Sequence, residues 1–444
     1  RWLDYPGEQL ISMVEVEIGG QRIDRQYGDW MHIWNQLTMT SEQQKGYEQM
    51  VGQTTQLTYL TNPGFADVNG PCASSAGPAQ VCAPRNALPE TTLYVPLQFW
   101  FCGNPGLALP LIALQYHEVK INLDLRPIDE CLWAVSSLNC SSGSAKVTAA
   151  YNQSLVAASL YVDYVFLDTD ERRRMAQNPH EYLIEQLQFT GDESVGSSSN
   201  KIKLNFNHPC KELVWVVQPD QNVDYCSSLE CNSLLYRTLG AQPFNYTDAI
   251  DALPNSIRAF SSSVQLAGAS NAAPNTSVIN AHGLFNDPNA NSDATAVAID
   301  ELSGNLGSAG ATNGVSDAGA FVLAETSLKM HCWGENPVVT AKLQLNGQDR
   351  FSEREGTYFD LVQPFQHHTR SPDTGINVYS FALRPEEHQP SGTCNFSRID
   401  NATLQLVVSA AAIGSANTAK VRVYATNYNV LRVMSGMGGL AYSN

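Results

Sequence analysis

One succession of segments runs through this chain twice. Glu15–Asp29 (EVEIGGQRIDRQYGD) reads as a strand, a Gly-Gln turn, an Arg/Asp pair and an aromatic return. Lys342–Phe359 (KLQLNGQDRFSEREGTYF) repeats that order. Leu109–Leu125 matches Gly392–Val408 in position and pattern, and Tyr161–Leu167 matches Tyr424–Leu431. Each match is weak alone, but their shared order in both halves points to duplication of one unit.

That unit is β. Met13–Ile18, Lys201–Phe206 and Lys342–Leu345 alternate apolar and polar residues at period two, which buries one face of a sheet. Leu97–Phe101, Val119–Leu125, Ser159–Leu167, Leu213–Val217 and Leu404–Val408 are further β-rich runs, and Asn346-Gly347 supplies the positive φ angles of a tight hairpin. Helices are few. Ser41–Met50 opens on the capping-box spacing Ser41-x-x-Gln44, and Asp168–Gln177 on Asp168-x-x-Glu171 before stopping at Asn178-Pro179. The second helix separates two blocks of strands and sets a domain boundary near Asn178.

A length of 444 residues suits two cores of about 200 residues each. An eight-stranded antiparallel sandwich with long connections is a jelly roll. The expected fold is therefore all-β: a double jelly roll of two tandem eight-stranded antiparallel β-sandwiches with long loop insertions. The first occupies 1–178 and the second 179–444, with a large surface insertion at 219–328. Within that insertion Ala259–Leu328 has no Lys or Arg and is crowded with Ala, Ser, Gly, Asn and Asp, as ordered surface excursions would be.

The chain carries 43 acids against 26 bases, a formal charge of −17, which repels a phosphate backbone and argues against direct contact with nucleic acid. No run approaches the ~18–20 apolar residues of a membrane span. The ten cysteines include three close pairs in loop-like sequence, Cys72/Cys82, Cys131/Cys140 and Cys226/Cys231. No histidines stand at zinc-finger spacing beside them, so they read as loop-stapling disulfides, with free thiols as the alternative. Cys102, Cys210, Cys332 and Cys394 adjoin apolar strand residues and read as core fillers.

No catalytic pattern emerges. Gly436-Met-Gly-Gly-Leu-Ala441 fits G-x-G-x-x-A but precedes only three residues, too few for the helix that would receive a phosphate, so it reads as a glycine tail against a neighbouring element. His367-His368 and His331-Cys332 have no partner at i, i+4, and neighbours on a strand face opposite ways. Arg172-Arg173-Arg174 is the densest basic cluster, flanked by acids that suit salt bridges; Glu386-Glu387 reads as a solvated turn, and Asp360 has no evident partner. No cofactor is called for. Among six Asn-x-Ser/Thr sequons, Asn245 and Asn275 fall in the second-half insertion and are the glycan candidates, whereas Asn395 and Asn401 sit in strand-like sequence.

Several long blocks then carry a resemblance. Val14–Asp24 (VEVEIGGQRID), Pro105–Lys120 (PGLALPLIALQYHEVK), Asn178–Gly191 (NPHEYLIEQLQFTG), Leu345–Phe351 (LNGQDRF), Gln389–Thr403 (QPSGTCNFSRIDNAT) and Asn427–Asn444 (NYNVLRVMSGMGGLAYSN) resemble signature segments of phycodnavirus and iridovirus major capsid proteins, which belong to the nucleocytoplasmic large DNA viruses. The algal, chlorovirus-like branch looks nearest. The resemblance implies a non-enzymatic structural protein whose homotrimers, pseudo-hexagonal in outline, tile the icosahedral shell of a large double-stranded DNA virus. It further implies contacts with neighbouring capsomers, penton and minor capsid proteins, only indirect contact with an internal membrane, residence in the virion, assembly in the host cytoplasm, and an outer face that is often glycosylated. In that family an arm and a first strand precede the VEIGGQRID segment; only about a dozen residues do so here, so both are expected to be missing from the first jelly roll. A minor capsid or scaffold paralogue of the same fold and, more remotely, a jelly-roll glycan-binding protein are the competing readings.

Overall fold

The computed structural model describes residues 2–58, 90–134, 148–223, 241–248, 334–413 and 417–442. Strand β1 (Ile11–Ile18) turns through Gly19-Gly20 into β2 (Gln21–Tyr27), and β3 (Val119–Leu125) lies antiparallel on its other side. Both turn glycines have positive φ, 59° and 83°, and Ile18 pairs with Gln21. This is the two-residue hairpin whose backbone twist suits paired strands. Period-two alternation places Val14, Val16 and Ile18 in the core.

The second half contains β4 (His180–Val195), β5 (Ser199–Lys203), β6 (Pro209–Pro219), β7 (Val338–Leu345), β8 (Gln348–Asp349), β9 (Arg354–Glu355), β10 (Asn377–Ser380), β11 (Cys394–Asn395), β12 (Ala402–Val408), β13 (Ala419–Met434) and β14 (Met437–Leu440). One sheet runs β10-β6-β13-β14, with β4 also paired to β13 and β11 to β6; the other runs β5-β12-β7-β8, with β9 on β7. They enclose one core. Leu213, Trp215, Val217, Val421 and Val423 from the first sheet meet Ile202, Leu343, Leu404 and Leu406 from the second. All but Val421 and Val423 belong to runs or alternations singled out in the sequence.

The duplication extends to individual hydrogen bonds. β7 turns through Asn346 (φ 51°) and Gly347 (φ 80°), and Leu345 pairs with Gln348 as Ile18 pairs with Gln21. β12 lies antiparallel to β7 as β3 does to β1. The Gly19 N–H donates to the Glu118 carbonyl at 3.0 Å, and the Asn346 N–H donates to the Asn401 carbonyl at 2.7 Å. Each acceptor immediately precedes the equivalent third strand.

Other expectations need correction. Ser159–Leu167 forms no strand and pairs with none among the described residues, and its apolar side chains lie open: Phe166 is 93% exposed. β-Propensity describes fitness for a pleated surface and does not supply the neighbouring strand. Leu97–Phe101 contributes Phe99 and Trp100 to the core from a loop that enters the short helix Trp100–Gly103. The helix Ser41–Val51 is capped one residue earlier than expected, by Thr40, whose side chain accepts from the Gln43 N–H. The helix Thr169–Gln177 does begin on the Asp168/Glu171 capping box and ends at an extended Asn178.

The two halves are fused rather than strung on a linker. β4 and β13 are 16 residues each and pair along almost their whole length. One end of this ribbon packs in the second core; at the other, Ile184, Leu431 and Val433 pack with Val14, Val16, Ile23 and Trp100 of the first half.

Candidate functional site

In a chain of this architecture the chemistry-bearing residues concentrate at the seam between the halves. β6 is buried on both faces, so it reads as a continuous apolar run instead of an alternation. Trp215 and Val217 face the second core, while Val214 and Val216 face the helix Gly28–Thr38 of the first half. From that helix Trp30, Ile33 and Leu37 enter the seam, and the Trp30 ring lies 5.2 Å from Tyr424 of β13. Tyr424 in turn stacks on Phe189 of β4 at 4.7 Å.

Charged groups cross the same seam. Arg422 of β13 contacts Asp29 of the first half at 3.3 Å and Asp192 of β4 at 2.8 Å. Arg126 approaches the other Asp29 oxygen at 2.9 Å. Burial works against the Arg422 charge, but Asp29 and the Asp192 hydrogen bond more than offset it and raise its pKa. On β2, Asp24 is buried and accepts from the Leu187 N–H of β4 at 3.0 Å, the Arg25 N–H and the Gln26 amide. Burial pushes its carboxyl up to about 7, against the pull of those hydrogen bonds. Gln186 Nε2 donates to the Ile23 carbonyl beside it.

A third cluster surrounds His368, which follows the helix Gln363–His367. Its Nε2 lies 2.8 Å from Glu212 of β6 and its Nδ1 2.9 Å from Glu386, while Trp34 of the first half meets the ring edge-on at 6.3 Å. Burial disfavours the imidazolium, yet the two carboxylates hold its pKa at about 9, and the His368 hydrogen bond lowers that of Glu386 against the effect of burial. Nearby, buried Lys211 reaches Glu185 at 3.0 Å and donates to the Pro385 carbonyl at 2.8 Å.

The glycine-rich tail closes the seam. β13 turns through Ser435-Gly436 into β14, and the Gly438 N–H donates to His117 Nδ1 of the first half at 3.1 Å. A Cβ on Gly438 would come within 2.6 Å of Leu114, and one on Gly436 would enter the Tyr116 ring. The glycines therefore permit close backbone approach, and Met437–Leu440 is itself a strand rather than the phosphate-binding turn of a nucleotide fold.

The residues singled out in the sequence fare unequally. Cys131 is a buried free thiol, raised to about 12 by burial, and its expected partner Cys140 lies outside the described residues. So do Cys72, Cys82, Cys226, Cys231, Cys332, His331 and Asn275. Cys210 fills the second core beside Cys394, its register partner on β11, but Cys102 is exposed and fills nothing. Asn245 is 3% exposed, donates to Gln242 and accepts from the Thr247 hydroxyl at 2.6 Å. That setting leaves no room for a glycan on the folded chain. Its neighbours Phe244 and Tyr246 are seam fillers, so 241–248 is interior and the insertion is not surface throughout. Arg172, Arg173 and Arg174 are exposed, with Arg173 paired to Asp170 at 3.7 Å. His367 and His368 sit at a helix end, not on a strand. Glu386 is no solvated turn, because it bonds His368 and Thr369; Glu387 alone is exposed. Buried Asp360 has its carboxyl raised to about 6 by desolvation.

The insertion leaves and returns at one place. The Asp248 N–H donates to the Glu335 carbonyl and the Glu335 N–H to the Asp248 side chain, both at 3.0 Å. Among the described residues no group of three or more His, Cys, Asp or Glu side chains is placed to hold a metal ion, and no helix is long and apolar enough to cross a membrane.

A β-sandwich joined through β4 and β13 to the three-stranded sheet of the first half, with polar side chains locking the halves together, is the frame of a double jelly-roll protein of the kind that builds viral capsids. Solved structures agree. The chain matches the Paramecium bursaria Chlorella virus 1 chain in "PBCV-1 virus capsid, quasi-atomic model" at 33% identity and TM-score 0.56, covering 100% of this chain and 86% of that one. It shares the fold of the Faustovirus major capsid protein at 15% identity and TM-score 0.60, over 98% of this chain and 73% of that one. Residues 1–168 match the family described as major capsid protein N-terminus, and 171–439 the large eukaryotic DNA virus major capsid protein family. The chain is 75% identical over its whole length to the major capsid protein of Phaeocystis pouchetii virus, covering 83% of that protein, and 74% identical to that of Chrysochromulina ericina virus, covering 80%. Against the Paramecium bursaria Chlorella virus 1 major capsid protein the identity is 37%, over 99% of this chain and 80% of that one. The chain belongs to the major capsid protein family of large eukaryotic DNA viruses, a structural component of the virion shell.

Proposed function

We propose that three copies form a capsomer of pseudo-hexagonal outline and that such capsomers tile an icosahedral shell. The observation that carries this reading is the repeated hairpin: Gly19 bonds Glu118 in one half as Asn346 bonds Asn401 in the other. Two similar units per chain give six similar edges per trimer, so a threefold object suits a sixfold lattice position. Units at 1–178 and 179–444 fused across one seam present those edges at a fixed spacing. Neighbouring capsomers, penton and minor capsid proteins are the partners of such a tile, and the host cytoplasm the place of its assembly. The formal charge of −17 favours these over the genome. Asn275 remains the glycan candidate, and the Cys72/Cys82 and Cys226/Cys231 pairs remain proposed loop staples. Electron microscopy of the purified protein tests the central claim: threefold particles of pseudo-hexagonal outline support it, and a persistent monomer overturns it.

A further inference from the structure

The segment before His368 carries an apolar surface that the described residues leave uncovered. A π-helical turn, Tyr358–Val362, runs into the helix Gln363–His367. π turns are rare and frequent at functional sites. Leu361 is 55% exposed, Val362 39%, Phe365 82% and, on the adjoining loop, Leu383 74%. Together they leave on the order of 500 Å² exposed, the size of the largest and often functional apolar patch on a typical monomer. His367 Nδ1 lies 3.1 Å from the Leu383 carbonyl and joins the two parts.

The platform beneath is rigid. Phe359 is fully buried in the second core, and Gln363 both donates to the Tyr358 hydroxyl and accepts from the Ser380 N–H. Below it lies His368 between Glu212 and Glu386. An apolar ridge held this firmly is preorganised for docking and needs little further ordering on contact.

We propose that Leu361, Val362, Phe365 and Leu383 form a contact between copies of this chain within the capsomer. This rests on the trimeric reading above. A second copy is favoured as occupant for two reasons. Shell proteins are surrounded chiefly by copies of themselves. Copies of charge −17 repel one another, so their contact needs an apolar surface free of like charge. The ridge meets that need: Leu361, Val362, Phe365, Gln366 and Leu383 are uncharged, and the nearby Arg384 is neutralised by Glu387 at 3.0 Å. An anionic membrane surface is disfavoured by the same acidity.

The test is the double variant Phe365→Asp/Leu383→Asp, compared with wild type by size-exclusion chromatography with light scattering. Wild type at three chain masses and the variant at one, with matching circular dichroism and thermal midpoint, is the expected result. A variant that remains trimeric overturns the contact while leaving the trimer intact, as does a trimeric variant that fails only to enter particles, which would assign the ridge to another neighbour. A monomeric wild type overturns the capsomer reading and this contact with it. Phe365→Ser, a milder change at an exposed position, should raise the concentration for half-assembly about tenfold; no change there also counts against the ridge.

Discussion

His368 Nε2 sits 2.8 Å from Glu212 Oε2, with both side chains sealed from solvent. Such a pair stabilises only while the proton stays on the ring. The folded value is about 9 against an ordinary histidine near 6.5, so the contribution is complete below about 6.5 and lost as pH rises through 9. His368→Gln should cost about 3 kcal/mol at pH 7, because it leaves buried Glu212 uncompensated. Denaturant unfolding from pH 6 to 10 should show wild type losing stability toward alkaline pH and the variant losing less.

Asp24 has the same sign for a different reason. Its carboxyl is raised to about 7 by burial, so stability is complete below the ordinary value near 4 and declines as pH rises through 7. Asp24→Asn removes the titration and should flatten that part of the profile between pH 4 and 7. Asp24→Leu should cost about 2 kcal/mol, because the Leu187 N–H loses its acceptor in the interior. A variant that keeps the wild-type pH slope would contradict the assignment.

Arg422 ties Asp29 to Asp192, and Arg422→Met removes the shared cation from both. A loss of about 3 kcal/mol is expected. Calorimetry should still record one transition, since the cores share β4 and β13. Lys342→Met, which breaks the more exposed Lys342–Asp349 pair, serves as the control and should leave the midpoint unchanged.

Gly438→Val drives a branched side chain into Leu114 and Ile18. Overpacking of this kind costs about 1–3 kcal/mol. Hydrogen exchange at Leu440 and Ala441 should quicken well before exchange in β6 does, because the tail hairpin would lift from the first half while the central sheet holds.

Local signals were the legible ones. The Asn346-Gly347 hairpin, the Asp168 capping box and the alternation of β1 and β7 depend on residues a few positions apart. Partnerships across the fold left no such mark. Glu212 and His368 are 156 positions apart, Asp24 and Leu187 163. Glu386 therefore resembled a solvated turn and Asn245 a surface sequon, although each completes a buried polar group. Asp24 did leave a faint trace: with Gln26 it occupies the inward positions of a strand where apolar residues would be usual. A polar residue in the core register implies an interior partner. Ser159–Leu167 erred the other way, because strand composition cannot provide the strand alongside.

The reciprocal hydrogen bonds between Asp248 and Glu335 bring together two points 87 positions apart in the chain. The frame thus holds the two ends of that stretch side by side. Closing a longer loop costs only about 0.6 kcal/mol per doubling of length. Length alone is therefore a weak brake on what a virus lineage can place between Asp248 and Glu335.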